Sequence, residues 1–231
     1  MGAYATIAEV RAEGVPVAQA DDTRLLSLLE EASRTIDQVT GWFFEPRLLA
    51  LRLEGRGVPT IEPQFPPIRI DRLSIGSFDL SLEPRDLVVV GAPIQPGFDG
   101  PRITLRHGRV FPRRDGSLPL PSMYSMEPLL LVDDSITAEG LWGYTEPDGT
   151  PTGRTPVEIR RACILLVLRG LPLLTSEDAW DARNRWRLVS ERTRDQSYSL
   201  SPNDAFGTLT GDPEVDRILR RYMRPRGLGA A

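Results

Sequence analysis

Apolar residues near the N-terminus recur with the period of a helix. In a helix predicted to begin around Asp21 or Asp22, they are spaced alternately by four and three residues, which lines one face with Leu25, Leu29, Ala32, Ile36 and Val39. Gly41 is placed to end this helix. A shorter helix before it begins at Thr6, which has capping-box spacing to Glu9. The pattern therefore predicts a short helix followed by a long amphipathic one.

Between residues 48 and 144 the pattern changes to short apolar runs bounded by proline and glycine. Alternating and β-branched residues separated by turn formers are typical of strands. The sequence predicts five or six strands, at residues 48–53, 68–75, 87–90, 102–105, 129–132 and 135–144. The proline-rich segments 59–67 and 112–128 are predicted as long loops.

Helical signals return after residue 150. Thr155 is predicted to cap a helix that has Pro156 in its first position and runs to Arg169. This helix is apolar almost all round over residues 162–168, so we expect it at the centre of a bundle. A further helix is predicted at 176–188, and a last one starts with Asp212 and Pro213 and ends before Pro225.

These elements predict an α+β chain in which a helical bundle carries a large β-strand insertion domain. Residues 1–46 supply the N-terminal helices, 47–150 the β-rich insertion, and 151–231 the C-terminal helices and a C-terminal arm. The N- and C-terminal helices must pack on one another, because helices this short cannot bury their apolar faces alone.

The amino-acid composition excludes most kinds of catalytic and cofactor-binding site. The chain has one histidine and one cysteine, and all 28 basic residues are arginine. The chain therefore lacks the histidine and cysteine ligands of a zinc site, and it lacks the lysine that a phosphate-binding loop or a Schiff base needs. We expect no catalytic residue, no metal and no cofactor. His107 is expected in a turn and Cys163 as an inert packed thiol. The longest apolar run spans seven residues, 162–168, against roughly 20 for a bilayer span, so no membrane partner is expected.

One enzymatic alternative stays open. Asp133, Asp134 and Glu139 form the densest acidic group in the chain, and carboxylates are the ligands of a Mg²⁺-dependent hydrolase. The ordinary interpretation of this group is a solvated turn before a strand.

Charge is divided unevenly along the chain. Residues 1–150 hold 14 arginines against 22 acidic residues, whereas 151–231 hold 14 against 10. The last helix places Val215, Ile218, Leu219 and Tyr222 on one face and Arg217, Arg220, Arg221 and Arg224 on the other. This second face is either a solvated surface, partly neutralised by pairs of Glu214 with Arg217 and of Asp216 with Arg220, or a docking stripe for an acidic protein or for DNA phosphate. A DNA-binding protein that uses this helix is an alternative function, although the acidic sequence pI of about 5.2 counts against it.

Two further segments are candidate subunit contacts. The adjacent rings of Trp42, Phe43 and Phe44 either pack between the bundle and the β-domain or include an anchor for a neighbouring subunit. The polar segment 194–198, with Arg194, Gln196 and Tyr198, is either a linker or an extended arm that pairs with a neighbouring chain.

Three features resemble the head-tail connector (adaptor) proteins of tailed bacteriophages and gene transfer agents. They are the helix pair that ends in an aromatic cluster, the strand end 140–144 followed by a Thr-Pro helix start, and the segment 190–199 before a last short helix. The similarity covers most of the chain and consists of packing and capping patterns. The shortest members of that family lack so large a β-insertion.

The resemblance implies a structural protein of the virion neck, without catalysis. It implies a homo-oligomeric ring of about twelve copies beneath the portal protein, joining the DNA-filled head to the tail. The implied partners are portal, neighbouring copies, the next neck or tail protein, and double-stranded DNA that passes through the channel without sequence-specific binding. Assembly in the host cytoplasm follows from the same resemblance.

Overall fold

The structure is a computed structural model that describes residues 2–75, 78–80, 86–92, 100–107, 109–112, 135–171, 190–193, 196–199 and 209–224. Its helices are α1 (Ile7–Ala12), α2 (Asp22–Thr40), α3 (Val157–Gly170) and α4 (Pro213–Tyr222). Its strands are β1 (Arg47–Leu53), β2 (Thr60–Ile61), β3 (Pro67–Ile75), β4 (Phe78–Leu80), β5 (Leu87–Val90), β6 (Arg102–Leu105), β7 (Ile136–Trp142), β8 (Ser190–Thr193) and β9 (Gln196–Ser199). The prediction of an α+β chain with a strand-rich insertion between helices is confirmed.

The chain divides into two compact units. One comprises the described residues of Met1–Gly41 and Pro156–Ala231, and we call it the helical unit; the other, the sheet unit, comprises those of Trp42–Thr155. The expected boundaries lay at residues 46/47 and 150/151. The observed division assigns the aromatic sequence that starts at Trp42 to the sheet unit.

Local capping fixes the two N-terminal helices as predicted. Thr6 and Glu9 form a complete capping box at α1, and the Asp21 side chain accepts a hydrogen bond from the Arg24 backbone N–H at the start of α2. Gly41 ends α2 in the left-handed region, with a φ of 74°. The inward face of α2 is buried from Leu25 to Ile36.

The predicted cap of α3 is wrong. The Thr155 hydroxyl donates to the Phe44 carbonyl oxygen (2.8 Å), and Pro156 takes the N-cap position without any side-chain cap. The helix thus begins one residue later than expected. The sequence assigned the Thr155 hydroxyl to the cap of α3, but in the structure this hydroxyl binds the Phe44 carbonyl oxygen of the sheet unit. Residues 162–165 and Val167 are buried, as the apolar pattern predicted, whereas Leu166 and Leu168 are partly exposed.

The sheet unit contains two antiparallel sheets. A four-stranded sheet has the order β1-β7-β3-β4, and a three-stranded sheet has the order β2-β6-β5. β1 pairs with β7 in an unbroken register from Arg47 opposite Trp142 to Leu53 opposite Ile136, whereas the register of β3 with β7 shifts twice. The core between these strands is built around Phe43, Leu73, Ile103, Phe111 and Trp142.

Two strands of the sheet unit were not predicted from the sequence. β2 lies inside the segment 59–67 that was predicted as loop, because a two-residue strand is too short to show a period. β4 carries no predicted strand and pairs with the end of β3. The predicted strand 129–132, the predicted loop 112–128 beyond its first residue, and the predicted helix 176–188 lie outside the described residues.

Gly140 gives a test of the packing in the four-stranded sheet. A Cβ atom there would overlap the Arg69 backbone oxygen, whereas one at Gly100 would meet no atom of the described residues within 4 Å. We expect Gly140→Ala to lower the free energy of unfolding by about 1–3 kcal/mol, because the backbone of β3 must shift. Gly100→Ala, the matched control, should leave it almost unchanged. Urea unfolding of both variants measures this, and equal stability would refute the close approach.

Candidate partner-binding surface

The start of α4 is fixed by two aspartates. The Asp212 carboxylate accepts hydrogen bonds from the backbone N–H groups of Glu214 (2.8 Å) and Val215 (3.3 Å), as its position before Pro213 predicted. Asp212 is also the ion-pair partner of Arg169, at the end of α3. Burial lowers the pKa of Arg169 from its usual value.

Asp216 has a role that helical spacing did not predict. It is buried, and it accepts hydrogen bonds from the backbone N–H groups of Leu209 (3.0 Å) and Thr210 (2.8 Å) and from the Thr210 hydroxyl (2.6 Å). The sequence pattern had instead offered it as an exposed partner of Arg220. Because these bonds hold the preceding turn against the helix, the orientation of α4 is fixed at its first turn.

The two predicted faces of α4 are present. Val215, Ile218 and Leu219 are buried, while Arg217 and Arg221 are exposed and Arg220 is partly exposed. Arg221 Nη1 lies 2.8 Å from Glu158 Oε1 of α3. This ion pair is half-exposed, so it adds about 0–1 kcal/mol of stability. The polar face of α4 therefore presents guanidinium groups outward.

Arg224 does not lie on the helix. α4 ends at Tyr222, Met223 is extended, and the Arg224 backbone N–H donates to the Thr40 carbonyl oxygen (3.0 Å). Arg224 follows the three-four spacing of the arginines, but the helix ends before it, so the predicted arginine face included one residue too many. Arg224 is exposed at the place where the chain leaves α4 beside the end of α2.

The three adjacent aromatic residues are interior side chains of the isolated chain. Trp42, Phe43 and Phe44 are 7%, 5% and 0% exposed. The Trp42 and Phe44 rings lie 6.3 Å and 5.6 Å from the Tyr144 ring, and Phe43 packs at 4.6 Å from Phe65. Burial raises the pKa of Tyr144 to about 12. A contact of these rings with a neighbouring copy stays a prediction.

The segment predicted as a linker or an extended arm contributes to a hairpin. Gln196 and Tyr198 belong to β9, which pairs antiparallel with β8 of the same chain, from Ser190 opposite Ser199 to Thr193 opposite Gln196. The lack of a helical period left a linker and an extended arm both open, and it gave no sign of the partner strand β8. A contact of this segment with a neighbouring copy stays a prediction. Arg194 lies outside the described residues.

The acidic group proposed for metal binding is only partly described. Glu139 lies on β7, 3.8 Å from the Arg72 guanidinium, while Asp133 and Asp134 lie outside the described residues. In the part of the chain that the structure describes, no three ligand-type side chains form a group that could hold a metal ion. His107 adopts a positive φ of 59°, in keeping with a turn, and its Nε2 lies 3.6 Å from Asp86 Oδ1.

Ion pairs that no sequence pattern predicted join α1 to α3. Arg160 Nη1 lies 3.3 Å from Glu9 Oε1, and Arg161 Nη1 lies 2.9 Å from Glu13 Oε1. The pKa of Glu9 is lowered, first by the Thr6 backbone N–H (2.7 Å) and further by the Thr6 hydroxyl and Arg160. These partners are about 150 residues apart in sequence, and only the tertiary fold brings them together.

The comparisons with known proteins give a structural likeness and no sequence family. No protein-family model matches the chain, and neither does any curated protein. The fold is similar to that of a chain in the solved neck of an empty GTA (gene transfer agent) particle, a structure computed with C6 symmetry. The TM-score is 0.51 at 16% identity, and the similarity covers 98% of this chain and 93% of that one. At this identity the likeness establishes a shared fold.

No helix in the described residues is long and apolar enough to cross a membrane.

Cys163 should be unreactive while the protein is folded. Its Sγ is fully buried in α3, 3.7 Å from Ser33 Oγ, and burial raises its pKa to about 11. At pH 8 we expect a thiol reagent to label it only as fast as the chain unfolds. The neutral thiol stabilises the fold fully below its ordinary pKa of 9.0, and this contribution is lost as the pH rises through about 11.

An introduced surface thiol provides the control for this experiment. In the variant Val17→Cys, position 17 is 70% exposed and should react at once under the same conditions. Equally rapid labelling of Cys163 in the native, unsubstituted chain would contradict its assignment as a packed core residue.

Proposed function

We propose that this chain is a structural subunit of a head-tail neck and carries out no catalysis. The observation that carries the proposal is the likeness of its fold, over 98% of its length, to a chain of a gene transfer agent neck. The order of helices, β-insertion and helices supports the same assignment. In this proposal the subunits form a ring beneath the portal, within the particle, and DNA passes through the ring.

The ring has about twelve copies in this proposal, with portal on one side and the next neck or tail protein on the other. A twelvefold ring contains the C6 symmetry used for the neck structure to which this chain is similar. The DNA contact is sequence-independent, because a channel that lets the genome slide cannot hold phosphates tightly.

The exposed face of α4 is the proposed portal-docking surface. Its apolar face is buried and its first turn is held by Asp212 and Asp216, so the arginines project from a fixed helix. Guanidinium groups bind carboxylates bidentately, which suits an acidic partner surface. Arg217, Arg220 and Arg221 supply this face, and Arg224 adds a charge just beyond it.

Measurement of the assembled mass tests the neck assignment. We expect light scattering or native mass spectrometry, with the purified chain alone and with portal, to detect a ring-sized oligomer in at least one condition. Negative-stain images should then show rings stacked on portal. A chain that stays monomeric in both conditions would contradict the proposal.

Removal of four arginines tests the docking surface. The variant combines Arg217→Gln, Arg220→Gln, Arg221→Gln and Arg224→Gln. We expect nearly unchanged stability, because exposed ion pairs contribute little, but weaker co-sedimentation with portal and a smaller dependence of binding on salt.

The matched control removes the same charge from other exposed positions, with Arg34→Gln, Arg69→Gln, Arg72→Gln and Arg161→Gln. If both quadruple variants keep the affinity and salt slope of the parent chain, α4 does not dock on portal. Parallel titration with double-stranded DNA tests the alternative: a large loss of DNA affinity in the α4 variant alone, with portal binding intact, would favour a DNA-binding protein.

A further inference from the structure

One arginine of the α4 docking face is already bound within the chain. Arg221 Nη1 donates a hydrogen bond to Oε1 of Glu158 on α3 (2.8 Å), and the two side chains are 58% and 44% exposed. A guanidinium that binds one carboxylate has fewer N–H groups left for another. An acidic partner that docks on α4 therefore competes with Glu158 for Arg221.

This ion pair can open without movement of either helix. The buried carboxylates of Asp212 and Asp216 hold α4 at its first turn, whereas Arg221 lies in its last turn. Rotation about the side-chain bonds of Arg221 is enough to separate the guanidinium from the carboxylate. Opening thus gives a guanidinium that projects from a helix still fixed in place.

Glu158 tolerates the loss of its partner. It lies in the first turn of α3, where a carboxylate interacts favourably with the helix dipole. The N-cap position is taken by Pro156, so no side-chain cap competes for this end of the helix. Because Glu158 is also half-exposed, water can solvate its carboxylate once Arg221 has left. The free-energy cost of opening the pair is therefore small.

We propose that Glu158 is an intramolecular competitor, which holds Arg221 in the free subunit and releases it when α4 docks on an acidic surface of portal. This inference rests on the proposed docking surface and adds a residue that weakens docking. The gain at Arg221 is the difference between two ion pairs. Arg221 therefore contributes only where the partner supplies a carboxylate of its own, which makes the contact more selective.

Removal of the Glu158 carboxylate tests the competition. We expect Glu158→Gln to unfold in urea almost as the parent chain does, because the ion pair is exposed. It should bind portal about two- to fivefold more tightly in co-sedimentation. The salt dependence of binding should become steeper, because one more uncompensated positive charge enters the contact.

Glu13→Gln is the matched control. Glu13 lies 2.9 Å from Arg161 of α3, in an ion pair of similar exposure that is not part of the proposed docking surface. This variant removes the same charge from the helical unit and breaks the same kind of contact between helices. Its affinity for portal should equal that of the parent chain.

Double variants show whether Glu158 acts through Arg221. In the Arg221→Gln background, Glu158→Gln should bring no gain in affinity, because no guanidinium is left to release. In the Arg217→Gln background the gain should persist, since Arg217 is exposed on the same face but the partner of Glu158 is Arg221. Equal gains in both backgrounds would mean a general effect of charge and would overturn the inference.

The outcomes separate this inference from the docking proposal. If Glu158→Gln leaves docking unchanged or weakens it, while the quadruple arginine variant docks poorly, Glu158 does not compete for Arg221 and the docking surface stands. If the quadruple arginine variant docks as the parent chain does, the docking surface and the competition both fail.

Discussion

Two hydrogen bonds join the start of the sheet unit to its end, and the packing of the helices depends on them. The Tyr144 backbone N–H donates to the Phe43 carbonyl oxygen (2.9 Å), and the Thr155 hydroxyl donates to that of Phe44 (2.8 Å). Because the sheet unit begins and ends at one place, α2 and α3 can pack as neighbours although a whole β-domain separates them in sequence. The contact between α2 and α3 includes Ser33 and Cys163. The ion pairs between α1 and α3 also hold the N-terminal and C-terminal helices together. Local helix propensity is secondary here, since none of these helices could bury its apolar face without this return of the chain.

The sequence predicted most of those elements whose signals are local. α2 and α4 begin at aspartate caps and follow the three-four period, and β5 and β6 have the predicted bounds. The failures occur where tertiary contacts override local chemistry. Thr155 has the sequence of a helix cap, but the Phe44 carbonyl takes its hydroxyl. The pairing of β1 with β7, across almost the entire insertion, also has no local signal, because strand order depends on contacts between distant residues.

The candidate surface was predictable to a similar extent. Helical period alone placed Arg217, Arg220 and Arg221 opposite the buried face of α4, but it could not show that the helix ends before Arg224. Nor could it show that Asp216 points inward and binds the backbone N–H groups of Leu209 and Thr210. Whether Asp216 binds these groups or forms an exposed ion pair with Arg220 depends on the path of the chain before the helix. For a protein whose proposed work is assembly, surfaces matter more than clefts, and surfaces carry few sequence signatures.

A cryo-electron microscopy reconstruction of the neck in assembled particles that contain this chain is the strongest test of the neck assignment. We expect a closed ring of this chain directly beneath the portal, with α4 facing portal density and the axial channel open for DNA. Density for this chain elsewhere in the particle, or its absence from particles with a complete neck, would contradict the neck assignment.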